Sequence, residues 1–268
     1  MPNDAPALDA RLELACQAAR EAGRLTLKYF RNRRLAVERK ADQSPVTIAD
    51  REAEQVLREQ IEAHFPNDAI VGEEFGQSMG DSGYRWILDP IDGTASFVRG
   101  VPLYGTLVGV EYQQRSIAGV IHMPALDECV YAAEGRGAWY VTRNQEPVAA
   151  RVSACDSLFE GLFVTSQVDL YEKRDAWQAY RELQRRADIT RTWGDCYGYL
   201  LVATGRAAVM VDPVMSIWDA APLQPILEEA GGSFTDWSGN RTIYHGEGIG
   251  TNRLVLEEVL TITRPHAG

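Results

Sequence analysis

Apolar side chains recur at helical spacing between residues 8 and 30, at Leu8, Leu12, Ala15, Ala19, Ala22, Leu25 and Tyr29. That period predicts an amphipathic helix with one face on a core, ended by the basic run at 31–34. The stretch 40–50 is polar and broken by Pro45, which suits a loop. Thr47 or Asp50 can then cap a second helix that reaches Phe65 through Val56, Leu57 and Ile61. Beyond Pro66 the pattern changes to short strands at 69–73, 85–88, 106–112, 116–122, 128–133, 139–142 and 148–152. This half predicts a meandering, largely antiparallel sheet behind two helices.

The second half alternates. A strand at 161–166, helices at 173–187 and 194–204, and a strand at 207–211 precede a helix beyond Trp218. Strands near Ser233 and Ile243 and a last helix from Asn252 follow. Alternation of this kind predicts an α/β layer architecture. No repeat or Ser/Gly linker marks a boundary, so a division into residues 1–153 and 154–268 rests on composition, and both halves are expected to share one continuous fold. Pro222 fits a first helical turn, whereas Pro225 would remove a hydrogen bond one turn later and kink the helix or delay its start.

Composition narrows the function. A chain of 268 residues, 45% hydrophobic, can bury a sizeable core. Its net charge of -11 repels nucleic acid and anionic membranes, and an anionic substrate would need positive charge from another source. Cys16, Cys129, Cys155 and Cys196 form no C-x-x-C pair, and the four histidines have no H-E-x-x-H spacing. The N-terminal run has no basic segment followed by an apolar one, and no stretch approaches a membrane span, so a cytoplasmic protein is expected.

Four segments set acidic residues beside turn residues at strand ends or helix starts: VTIAD at 46–50, GEEFG at 72–76, WILDPIDGT at 86–94, and Trp218-Asp219. In the third, an apolar strand runs into Asp89 and Asp92, and carboxylates that close do not stay ionised cheaply without a cation between them. Oxygen ligands of this kind suit Mg²⁺, which keeps water and substrate phosphate oxygens in its shell. Each segment taken alone also has a plain reading: Asp-Pro and Asp-Gly as turn dipeptides, Glu73-Glu74 as a solvated loop, Asp219 as a helix cap.

In order and spacing these segments resemble the inositol monophosphatase-like superfamily of metal-dependent phosphatases, from about Leu8 to near the C-terminus. The block WILDPIDGTASF at 86–97 is the most specific part, with Glu73-Glu74 and Trp218-Asp219 in their expected places. The runs FVRGVPLYGT at 97–106 and WGDCYGY at 193–199, with VDP at 211–213, look like the bacterial histidinol-phosphate phosphatase branch. The resemblance implies an α/β (α+β) fold, a layered αβαβα sandwich, and a homodimer. It implies that Glu73, Asp89 and the Ile91 carbonyl hold one Mg²⁺, and that Asp89, Asp92 and Asp219 hold a second. Some members use a third ion near Glu73, and Glu74 would stand behind the ligands. Thr94 with Asp50 would orient and deprotonate the attacking water, and the N–H groups of Gly93 and Thr94 would cradle the phosphate. Glycine lets backbone approach the anion without a Cβ in the way.

Lys40 falls where family members often carry a basic residue near the phosphate or the third metal, and it also reads as a solvated loop lysine. Thr165 and Ser166 end a strand where they could touch substrate, but a Thr-Ser there is also ordinary turn composition, and they are left out of the core set. Further from the metals, Asp195 opens a helix and Asp212 lies seven residues before Asp219. With Asp92 and Asp219 they are the candidate substrate contacts. Asp195 also reads as a helix cap, and Asp212 as a turn aspartate before Pro213. Histidinol phosphate carries an ammonium and an imidazole, whereas inositol offers only hydroxyls, so the two extra acids favour a cationic leaving group. The expected function is Mg²⁺-dependent hydrolysis of L-histidinol phosphate in histidine biosynthesis. The alternative is an inositol 1-phosphatase or a broad sugar- or nucleotide-phosphate phosphatase. A non-catalytic descendant would have lost one of Glu73, Asp89, Asp92, Thr94, Asp219 or Asp50, and all six are present.

Overall fold

The computed structural model describes residues 5–40, 45–143 and 145–268. The first half opens with helix α1 (Ala5–Thr26), a short hairpin of β1 (Val37–Arg39) and β2 (Pro45–Thr47), and helix α2 (Ile48–His64). Strands β3 (Ala69–Gly72), β4 (Gly76–Ser78) and β5 (Tyr84–Asp92) lead into the one-turn helix α3 (Thr94–Val98). Strands β6 (Gly105–Tyr112), β7 (Arg115–Met123), β8 (Glu128–Ala133), β9 (Gly137–Thr142) and β10 (Val148–Ala149) complete an eight-stranded sheet in the order β10-β9-β8-β7-β6-β5-β3-β4. Only β3 and β5 run parallel; the other pairs are antiparallel.

The second half contributes β11 (Leu162–Val164), α4 (Asp169–Lys173), α5 (Trp177–Arg186), β12 (Ile189–Arg191) and α6 (Asp195–Ala203). Then follow β13 (Val209–Asp212), α7 (Ile217–Ala220), α8 (Leu223–Glu229), β14 (Ser233–Thr235), β15 (Gly248–Thr251) and α9 (Leu256–Thr263). A five-stranded sheet runs β12-β11-β13-β15-β14.

The alternation of side chains along each strand explains the layering. On the large sheet Trp86, Leu88, Val108, Val110 and Val120 pack under α1 and α2. Their neighbours Ile87, Leu107 and Ile121 face the other way, into a core shared with Tyr199, Leu200, Leu223, Ile226 and Leu227 of α6 and α8. Val164, Met210 and Phe234 close that core from the small sheet, and Phe163, Val209 and Val211 point outward under α5 and α9. The order helix, sheet, helix, sheet, helix is the expected αβαβα sandwich. Both faces of each sheet are covered, which is why the strands read as nearly continuous apolar runs.

Several expectations are corrected. The first helix stops at Thr26, where the Thr26 hydroxyl bonds back to the Gly23 carbonyl, and residues 27–31 are turns. The stretch read as a loop, 40–50, carries β2, which pairs with β1 just before it, and the start of α2; its residues 41–44 lie outside the described part. The helix expected at 173–187 is two, broken at Asp175, whose φ is 60°. The strand expected near Ile243 lies instead at β15, and β4 and β12 were not foreseen.

Pro225 does cost a bond, as its chemistry requires. The segment breaks into α7 and α8, and the Ala221 carbonyl, which residue 225 would serve in a continuous helix, accepts from the Ser116 hydroxyl of β7 at 2.6 Å.

Candidate active site

A β-bulge creates the acidic centre. Asp89 pairs with Leu107 and Asp92 with Gly105, so three steps on β5 oppose two on β6. Residues three apart on a regular strand face opposite sides; the extra residue reverses that parity. The Pro90 carbonyl freed there accepts from Thr106 Oγ1 at 2.9 Å. Asp219 arrives from α7, its carboxylate held by the Ser216 N–H at 2.7 Å. Carboxylate oxygens of Asp89, Asp92 and Asp219 lie within 4.8 Å of one another.

The remaining residues are set around this group. Asp89 Oδ1 accepts from the Ile91 N–H at 3.0 Å, and Asp92 Oδ2 from the Cys196 N–H at 2.5 Å. The Ile91 carbonyl accepts from Thr94 Oγ1 at 2.9 Å. Thr94 Oγ1 is also 3.4 Å from Asp50 Oδ1. Asp50 and Thr47 form the capping box of α2: Asp50 Oδ2 accepts from the Thr47 N–H at 2.8 Å and its hydroxyl at 2.7 Å. Gly93 is left-handed, with φ 82°. Lys40 Nζ donates to both Glu73 Oε1 and Glu74 Oε1 at 2.6 Å, so it is tied to the acidic pair and is not a solvated loop lysine.

Charge crowding dominates the electrostatics. Burial first, then the charges of Glu73, Asp92 and Asp219, push Asp89 well above the usual carboxylate range. Burial and the charges of Asp195 and Asp219 do the same to Asp92. Asp219 is pushed to about 7, chiefly by burial. Asp50 is raised by burial against the opposing hydrogen bonds from Thr47. Burial works against the Lys40 ammonium, but its bonds to Glu73 and Glu74 outweigh that and stabilise its charge. Oxygen ligands alone, one buried and two half-buried, crowded together and resisting ionisation, are a donor set that a hard divalent cation would satisfy. The residues therefore fit the group the resemblance implies.

Asp195 and Asp212 stand on the wall of a cavity of about 100 Å³ that also touches Asp92, Ser166, Tyr199 and Asp219. Asp195 makes no helix-capping bond; Gly194 is the cap residue of α6. Burial raises Asp195 to about 6 and Asp212 to about 7, and the Ser166 hydroxyl opposes both shifts. Asp212 is no free turn residue: Oδ1 accepts from the Ser166 N–H and Oδ2 from Tyr199 OH, each at 3.1 Å. Thr165 is fully buried on the Val211 carbonyl and Tyr171, away from the cavity.

Sequence reasoning set Ser166 aside and missed Glu54. Fully buried Glu54 accepts from the Glu74 N–H at 2.7 Å, the Phe75 N–H at 3.2 Å and Arg58 Nε at 2.7 Å, fixing the turn that carries Glu73. An acid and an arginine four apart on a helix read as a surface pair, and only the packing of the 74–76 turn over them shows otherwise.

The profile of the inositol monophosphatase family matches residues 7–266, and the chain belongs to that family of phosphatases. It is similar to the histidinol-phosphatase of Chlorobaculum parvum, 45% identical over 238 residues, 89% of this chain and 90% of that one. The histidinol-phosphatase of Mycobacterium tuberculosis is 35% identical over 93% of this chain and 96% of its own. Among solved structures, the extragenic suppressor protein SuhB of Bartonella henselae superposes with a TM-score of 0.88 at 28% identity, covering 95% of this chain and 98% of that one. Among the described residues no helix is long and apolar enough to cross a membrane.

Proposed function

We propose that the protein is a Mg²⁺-dependent phosphomonoesterase that hydrolyses L-histidinol phosphate to L-histidinol and inorganic phosphate, as a step of histidine biosynthesis. One observation carries the reading. An all-oxygen acidic cluster, two of whose members line a small cavity, shares that cavity with a further carboxylate, Asp195.

Asp89, Asp92 and Asp219 would hold two ions, with Glu73 and the Ile91 carbonyl completing the shell of the first; a third ion near Glu73 would compete with Lys40. When bound, the ions neutralise the phosphoryl oxygens and lower the pKa of the attacking water. The chain's own groups do the rest. Gly93, without a Cβ, and Thr94 present backbone N–H groups to the phosphate. The Thr94 hydroxyl, set between the Ile91 carbonyl and Asp50, orients the water. Asp50, its pKa raised by burial, is the group to receive the proton. In-line attack of this kind needs no covalent enzyme intermediate.

On the leaving side Asp195 would pair with the ammonium or imidazole of histidinol, a charge-assisted contact that inositol cannot make. Asp212 serves the same wall. The reading carries with it a cytoplasmic location, a small soluble ester as substrate and a homodimer, and light scattering checks the dimer. The chemistry is tested by phosphate release from phosphomonoesters in Mg²⁺, with EDTA controls. Turnover that EDTA abolishes and Mg²⁺ restores is expected; full turnover in EDTA would refute the metal-dependent reading.

A further inference from the structure

Asp195 is bent into a conformation its own helix does not require. Its φ is 52°, left-handed, at the first position of α6. That region is strained for any residue with a Cβ, though less for Asp than for most. Strain persists only where surrounding groups over-determine it. Here the group is Ser166, whose Oγ accepts the Asp195 N–H at 2.7 Å.

Ser166 is itself anchored. Its N–H donates to Asp212 Oδ1, and Asp212 Oδ2 accepts from the buried Tyr199 hydroxyl, each at 3.1 Å. Two glycines clear the space on either side. A Cβ on Gly194 would lie 2.2 Å from Ser166 Cα and 2.6 Å from its Oγ. A Cβ on Gly93 would lie 2.9 Å from Asp195 Oδ2. The Asp195 carboxylate therefore stands against Gly93, beside the cavity shared with Asp92.

We propose that Tyr199, Asp212 and Ser166 form a positioning chain for substrate selectivity, holding Asp195 left-handed so that its carboxylate faces the leaving group instead of capping α6. In the right-handed conformation the Cβ would leave the backbone in another direction and the carboxylate would leave that wall. Ser166 and Tyr199 are positioning residues; Asp195 makes the contact. The inference rests on the reading of a cationic leaving group.

The test is the ratio of kcat/KM for L-histidinol phosphate to that for inositol 1-phosphate, in wild type, Ser166→Ala, Asp195→Asn and the double variant. Ser166→Ala should lower the ratio about tenfold, the scale of one lost charge-assisted hydrogen bond. Asp195→Asn should lower it at least as much. The double variant should fall no further than Asp195→Asn, because Ser166 acts through Asp195.

A second readout needs neither substrate nor metal. Asp195→Gly and Asp195→Ala remove the same charge, but only glycine relieves the left-handed strain, so the metal-free Tm of Asp195→Gly should exceed that of Asp195→Ala by about 2–4 °C. A Tm for Asp195→Gly no higher than that of Asp195→Ala would overturn the strained-backbone claim, and losses that multiply in the double variant would overturn the positioning chain. A high wild-type ratio that Ser166→Ala leaves intact would overturn the positioning chain alone. A wild-type ratio near one would overturn the cationic-substrate reading and the selectivity role with it, leaving the Tm measurement to judge the backbone.

Discussion

Ser116→Ala should loosen the segment that aims Asp219 while leaving every acidic residue in place. Pro225 has no N–H, so the Ala221 carbonyl depends on the Ser116 hydroxyl, 2.6 Å away. Ser116 is 4% exposed and Ala221 is fully buried, so removing the hydroxyl leaves a dry, unpaired carbonyl. That costs about 1–3 kcal/mol. For a chain of 268 residues it corresponds to a fall of roughly 3–9 °C in unfolding midpoint. The segment has little room to adapt toward the sheet. A Cβ on Gly119 would lie 2.1 Å from the Pro222 carbonyl oxygen, and one on Gly109 2.7 Å from the Ala221 Cβ. Pro225→Ala restores an N–H where the carbonyl needs one, so the double variant should recover much of the loss. Thermal unfolding of the four metal-free proteins, followed by circular dichroism, measures this. A Ser116→Ala midpoint within about 1 °C of wild type, or no recovery in the double variant, would refute the reasoning.

Three further outcomes are expected. Asp89→Asn and Asp219→Asn should each cut kcat in Mg²⁺ at least about a hundredfold with the circular dichroism spectrum unchanged, and near-normal turnover in either would contradict the two-ion assignment. Glu54→Gln leaves buried Arg58 without its counter-charge and should cost about 3–5 kcal/mol in urea unfolding, with weaker Mg²⁺ binding as the Glu73 turn loosens; a loss below about 1 kcal/mol would contradict it. Burial lowers His122 to about 4 from its ordinary 6.5, against the opposing bond to the Ala19 carbonyl. Its folded pKa lies below its unfolded one, so the stability it confers is full above pH 6.5 and is lost as pH falls toward 4. The stability advantage of wild type over His122→Asn should therefore shrink by about 3 kcal/mol across that window, whereas a constant difference would contradict the assignment.

Much of this molecule was legible in its sequence because local patterns agreed with the fold. The large sheet announced itself through β-branched runs, and the bounds expected for β6, β7 and β8 fall within about two residues of those found. The least legible strand was β15. Gly248 and Gly250 carry no side chain to show a period; a Cβ there would meet Met215 and Phe234, or Leu227 and Tyr199, so the glycines are demanded by close packing. The β-branched pair Thr242-Ile243 looked more strand-like and lies in irregular chain. The acidic centre was legible through its motifs, but its parity was not: only the register against β6 reveals the bulge that brings Asp89 and Asp92 to one side. The contacts of Ser166, Glu54 and Ser116 were invisible for a shared reason. Each acts on residues 20 or more positions away, at separations of 29, 20 and 105, and a single chain carries no trace of such pairings.

The central claim is that a metal-dependent phosphatase centre is joined to a wall that selects a cationic leaving group. Competition between L-histidinol phosphate and inositol 1-phosphate in Mg²⁺, each product quantified in the same reaction, tests it most directly. The account predicts that histidinol phosphate is consumed first, by a margin of at least about tenfold in kcat/KM, the value of one charge-assisted contact. Equal consumption of both esters, or preference for inositol 1-phosphate, would contradict it.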